Sequence, residues 1–206
     1  MTELYLVAPE GLHTEAGLNH FAESLEAALA AGPVAALLLR RAQMNERHLA
    51  IAAARLGAPA QAHGVAVLAE DSARAAAALD GIHLSTAGQD VTALRQEIGP
   101  EAIVGVDCGR SRHRAMKAGE AGADYVAFTL AQPLADNDLE LVAAWHQVTL
   151  VPQVVMTEAD LEGARRLARA GADFLALGGR LWNHPQGPAA AIEAYAQALA
   201  LDAGRC

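Results

Sequence analysis

Short apolar runs recur along this chain about every 20 to 25 residues, and each is followed by an Ala-rich stretch whose apolar positions keep helical spacing. A strand that reads as a continuous apolar run is buried on both faces, so the helices between such runs must cover a parallel sheet. The spacing predicts strands at 4–8, 34–40, 65–69, 81–84, 102–106, 124–129, 150–155 and 173–178. It predicts helices near 15–31, 45–60, 71–79, 90–98, 111–121, 138–146, 158–170 and 188–201. Eight strand–helix units without a Pro/Gly-rich linker point to a single domain over 1–206, closed as a (β/α)8 TIM barrel. An open doubly wound sheet is the alternative.

Two segments repeat one another. "AGADYVAFTL" (121–130) and "AGADFLALGGR" (170–180) each pass from a helix end into a strand, and "AALDGIHL" before residue 85 is a weaker third copy. Gly32, Gly122 and Gly171 stand where left-handed residues close helices, and Thr157 with Asp160 resembles a capping arrangement. The shared halves are scaffold. Chemistry is expected where the copies diverge, at the C-terminal strand ends.

More than half of the residues are apolar and few are aromatic, enough for a large, closely packed core. A formal charge of −9, without runs of like charge, argues against a nucleic-acid surface. No apolar run is long enough to span a bilayer. Cys108 and Cys206 form no disulfide framework. The opening "MTELYLVAPEGLH" lacks the basic region and apolar stretch of a secretory leader. A cytoplasmic setting is therefore expected, and assembly with identical copies stays open.

The strand ends supply the candidates. Gly178-Gly179-Arg180 follows the last strand, where barrels hold phosphate on backbone N–H groups that glycine leaves accessible. A tight turn with a solvated Arg is the other reading. Glu70, Asp71 and Asp107 together offer hard oxygen ligands of the kind that hold Mg²⁺ alongside substrate phosphate, although any one of them alone reads better as a helix cap. His83 points away from Ile82 and Leu84, as a buried hydrogen-bonded histidine or a catalytic one. Arg40 and Arg41 end the second strand. Cys108 has no base beside it and reads as a packed thiol. Lys117, the only lysine, falls within a helix, which excludes Schiff-base chemistry.

These stretches, above all "VAVLAEDSARAAAALDGIHLS" (65–85), "IVGVDCGRSRHRAMKAGEAGADYVAF" (103–128) and "AGADFLALGGRLW" (170–182), resemble the thiamine phosphate synthase family and its thiazole tautomerase relatives. The resemblance implies a transferase that joins hydroxymethylpyrimidine pyrophosphate to a thiazole phosphate with Mg²⁺, releasing pyrophosphate. Asp71 then matches the metal Asp of the family's Asn-Asp pair, with Glu70 in place of the Asn, and Arg40 matches an Arg of the second strand. Gly178 and Gly179 match the phosphate-binding backbone, and Thr157 stands in the other half of that cradle.

Elsewhere the chain departs from the pattern. Leu38 and Ala42 replace a Gln and a Lys, Gly88 replaces a metal Asp with Asp90 nearby, and Asp107 replaces a Ser. Met156-Thr157 replaces a Gly-Gly, and the Thr-x-x-Lys loop after the sixth strand is missing. The tautomerase His falls on Thr129-Leu130. The departures raise a second reading, a non-catalytic or divergent barrel that binds a phosphorylated small molecule as a sensor or partner in thiamine metabolism. An isomerase or epimerase barrel of another phosphate-binding family is a third.

Overall fold

The computed structural model describes residues 1–42 and 44–203. Eight parallel strands close on themselves in chain order: β1 (Glu3–Val7), β2 (Ala36–Leu39), β3 (Ala66–Glu70), β4 (Gly81–Leu84), β5 (Ile103–Asp107), β6 (Tyr125–Thr129), β7 (Gln153–Met156) and β8 (Phe174–Leu177). Pairing of Leu4 with Leu175 and of Leu6 with Leu177 joins β1 to β8 and completes the barrel. The helices are α1 (Glu15–Ala31), α2 (Glu46–Ala62), α3 (Ala73–Ala76), α4 (Val91–Ile98), α5 (Arg112–Glu120), α6 (Asp136–Val148), α7 (Leu161–Arg169), α8 (Gly179–Trp182) and α9 (Gly187–Ala203). The chain is therefore a (β/α)8 TIM barrel, with α8 as one extra turn after β8.

Alternation along each strand divides the apolar residues into two cores. Leu4, Leu6, Leu37, Leu39, Val104, Val126, Leu175 and Leu177 point outward and pack with the buried helix faces. Tyr5, Ala36, Leu38, Leu68, Tyr125, Ala127, Val154 and Ala176 fill the barrel interior. The interior is closely matched in volume: a Cβ on Gly105 would stand 1.9 Å from Cζ of Tyr125, so the ring occupies the space that glycine leaves.

Local signals start and stop the helices. Thr14, Asn45, Ser72, Asp90, Ser111 and Asp160 each accept a backbone N–H from the first turn of the helix they precede. The cap of α7 is thus Asp160 itself, and Ser72, not Asp71, caps α3. Gly122 and Gly171 close α5 and α7 at φ 93° and 95°, whereas Gly32 is extended at φ 174°. Among the described residues, no helix is long and apolar enough to cross a membrane.

Candidate functional site

The alternation that fills the barrel also builds its mouth. Ala36 and Leu38 lead to Arg40, Ala66 and Leu68 to Glu70, and Gly81 and His83 to Ser85. Ile103 and Gly105 lead to Asp107, Tyr125 and Ala127 to Thr129, and Phe174 and Ala176 to Gly178. Arg40, Glu70, His83, Ser85, Asp107, Thr129, Thr157, Gly178 and Gly179 all line one cavity of about 620 Å³ at the C-terminal ends of the strands. That volume suits a small-molecule ligand.

The two arginines separate here. Glu70 is almost fully buried; its Oε2 accepts the Arg41 N–H at 2.8 Å and its Oε1 lies 3.7 Å from Nε of Arg40. The Arg41 side chain turns out of the cavity, donating to the Asp71 carbonyl at 2.8 Å and pairing with Glu46 at 3.0 Å. Ser72 Oγ donates to the same Glu46 at 2.6 Å. Arg41 is a strut, and Arg40 is the cation that faces the cavity.

Asp71 holds φ 48°, a left-handed conformation that aspartate tolerates better than most residues. Its carboxylate folds back onto the loop after β4. Oδ1 accepts the Ser85 N–H at 2.9 Å and Gln89 Nε2 at 3.3 Å, while Oδ2 accepts the Ser85 hydroxyl. Asp107 accepts the Gly109 N–H at 2.7 Å and the Thr129 hydroxyl at 2.8 Å. Among the described residues, no three His, Cys, Asp or Glu side chains gather as a metal cage. A carboxylate offers about four lone-pair sites. Three of those on Asp71 are taken, so it can give a cation one ligand. Asp71 itself does not line the mouth cavity, which its partner Ser85 reaches.

His83 sits at the floor of the cavity, with its Nδ1 2.8 Å from the Tyr125 hydroxyl, which lies 3.0 Å from the Tyr5 hydroxyl. Burial pushes the His83 pKa down to about 4, against the opposing pull of Asp107 and Asp71, so the ring is neutral near pH 7. Burial raises both tyrosines, which keep their protons. Tyr5 is buried with Tyr125 as its one hydrogen-bond partner among the described residues, so its proton must go there. With that direction Tyr125 would donate to Nδ1, and His83 would carry its own proton on Nε2. Cys108 is fully buried, and burial lifts its thiol to about 12, in keeping with a packed thiol.

Beyond β8, the N–H groups of Gly179 and Arg180 converge on one acceptor, the carboxylate of Glu158. Oε1 accepts from Gly179 at 2.9 Å and Oε2 from Arg180 at 2.6 Å, while Nε of Arg180 donates to the Glu158 carbonyl at 3.0 Å. Arg180 itself does not line the cavity. Thr157 is buried and accepts Gln132 Nε2 at 2.7 Å. Sequence reasoning missed Glu158, Tyr5 and Tyr125. Strand alternation could have found the tyrosines, which share the inward stripe, and Glu158 stands two residues beyond the inward-facing Met156.

Known proteins resemble this chain in sequence and in fold. The family model described as thiamine monophosphate synthase matches residues 4–181. A protein of Hyphomonas neptunium named thiamine-phosphate synthase is 39% identical, covering 94% of this chain and 92% of its own. One of the same name from Rhodospirillum centenum is 40% identical over 92% of this chain and 93% of its own. Thiamine phosphate pyrophosphorylase from Pyrococcus furiosus has the same fold, with a TM-score of 0.82 at 20% identity over 98% of this chain and 97% of that one.

Proposed function

Because the chain belongs to the thiamine monophosphate synthase family, we propose that it joins hydroxymethylpyrimidine pyrophosphate to a thiazole phosphate and releases pyrophosphate. The observation that supports this most is the mouth cavity, which brings Arg40 and the Gly178–Gly179 backbone to one space. In the reaction, the bond between the pyrimidine methylene and the pyrophosphate oxygen breaks with its electron pair on oxygen. The thiazole nitrogen gives its lone pair to the methylene, and the ring becomes a cation.

Negative charge therefore grows at the leaving oxygen, and Arg40 is the side chain that stabilises it. Glu70 positions that guanidinium and, through its bond to the Arg41 N–H, the end of β2. Asp71, with Glu70 beside it in sequence, would hold Mg²⁺, and the ion would supply positive charge to neutralise the pyrophosphate. Asp107, held by Thr129 and Gly109, places negative charge at the mouth, complementary to the cationic ring of the product. His83 is neutral, so it leaves pyrophosphate charge alone and offers its Nε2–H to an acceptor on a heterocycle. The thiazole phosphate goes to the backbone at Gly178 and Gly179, with Thr157 and Arg180 beside it.

Calorimetric titration with the pyrimidine pyrophosphate and Mg²⁺, followed by a product assay with the thiazole phosphate, tests the proposal. Binding followed by product formation that falls on Arg40→Ala is the expected result. No binding of the pyrophosphate overturns it. Binding without turnover favours the second reading, a barrel that holds a phosphorylated ligand. One observation speaks for that reading: Lys117, the sole lysine, lies within α5 and lines a separate cavity, not the mouth.

A further inference from the structure

We infer that Glu158 is a built-in competitor for the phosphate cradle, a side chain that a phosphate-bearing ligand must displace and that therefore sets the affinity for that ligand. Two successive N–H groups, of Gly179 and Arg180, point at one place, and both oxygens of the Glu158 carboxylate fill it. A carboxylate and a phosphate present the same chemistry to paired N–H donors: planar or tetrahedral oxygens bearing negative charge. The two cannot share the position. A Cβ on Gly178 would come within 3.1 Å of Glu158 Oε1, so the carboxylate packs closely against the backbone at that glycine.

The surroundings make the side chain the movable part. On one side the Thr157 N–H donates to the Ala176 carbonyl at 3.3 Å and its hydroxyl accepts Gln132 Nε2. On the other, the Tyr195 hydroxyl donates to the Ala159 carbonyl at 2.5 Å and Asp160 caps α7. The backbone is thus fixed at both neighbours, whereas Glu158 is exposed and lines the cavity. Rotation about its own side-chain bonds vacates the cradle without any loop motion. The exchange of one anion for another conserves hydrogen bonds, so phosphate is bound more weakly than the cradle alone would bind it.

The inference rests on the cradle of the proposed function but not on turnover, and inorganic phosphate tests it without either heterocycle. Backbone amide resonances of Gly179 and Arg180 are followed during phosphate titration of the wild type, Glu158→Ala and Glu158→Gln, with thermal melts to show that each is folded. In Glu158→Ala these amides saturate at about tenfold lower phosphate or less, the scale of one charge-assisted hydrogen bond. Glu158→Gln falls between, because its amide oxygen still accepts one N–H. Equal midpoints in the wild type and Glu158→Ala overturn the inference, as do amides that ignore phosphate in both. A failed product assay beside a shifted midpoint disposes of the transferase reading alone.

Discussion

At Arg40 and Arg41, neighbouring side chains of one type meet different surroundings, and truncation should read out differently. Arg40 has only a 3.7 Å approach to Glu70 and faces the cavity, so Arg40→Ala lowers kcat/KM for the pyrimidine pyrophosphate by about tenfold or more, the loss of one charge-assisted contact. Arg41→Ala breaks a 2.8 Å bond to the Asp71 carbonyl and a half-exposed pair with Glu46. It costs about 1 kcal/mol, seen as a melting temperature lower by about 2–4 °C. His83 carries a pH signature. Its folded pKa of about 4 lies below the 6.5 of the unfolded chain, so between those values the unfolded state binds more protons. Stability therefore falls as pH drops from about 6.5 to about 4 and is level below that, by about 3 kcal/mol in all. Urea midpoints at pH 7 and pH 4.5 measure it, and His83→Asn removes this share of the slope. The sequence left His83 open between a buried and a catalytic role because alternation gives direction only. Its tautomer depends on Tyr5, 78 positions away.

Between elements, the interior demands matched sizes on adjacent strands. Gly105 of β5 and Tyr125 of β6 are register partners, and the tyrosine ring fills the volume over the glycine. Gly105→Ala overpacks that site and destabilises the fold by about 1–3 kcal/mol. Adding Tyr125→Leu to the alanine variant costs less than the two changes measured apart, and a denaturation cycle over the four proteins reads that coupling. This pairing was invisible in sequence because it depends on the stagger between strands, whereas the strands themselves were legible as continuous apolar runs. β7 shows where the run misleads. Expected from Leu150, it begins at Gln153, since Leu150 is fully exposed and Pro152 has no N–H to give a ladder. Likewise α7 begins after Asp160 because that side chain accepts the Gly163 N–H, and the helix does not extend back to 158. Helix α8 is a single turn, and its Gly-Gly start reads in sequence like any loop.

Over the whole molecule, the site was legible wherever a strand end sets it and illegible wherever side chains compete for one another's donors. Arg40, Glu70, Asp107 and Gly178 reach the mouth because two-residue periodicity sends them there. That Glu158 holds the Gly179 and Arg180 N–H groups, or that Asp71 turns back to Ser85, follows from loop conformations that no period encodes. Charge ties these parts together. Among the described residues, Glu10, Glu70, Asp107 and Glu158 line the mouth against one cation, Arg40, on a chain whose formal charge is −9. Such a mouth repels free pyrophosphate, and one guanidinium does not reverse the field. On the proposed function, counter-charge would arrive with the ligand as Mg²⁺. Pyrimidine pyrophosphate should accordingly bind at least about tenfold more weakly in chelator than in saturating Mg²⁺. Raising salt from about 0.01 M to 0.15 M shortens the screening length from roughly 30 Å to 8 Å and should speed association of the metal-free ligand. Stopped-flow and calorimetric titrations across that range check both signs, and slower association in salt would mean that the field at the mouth is positive.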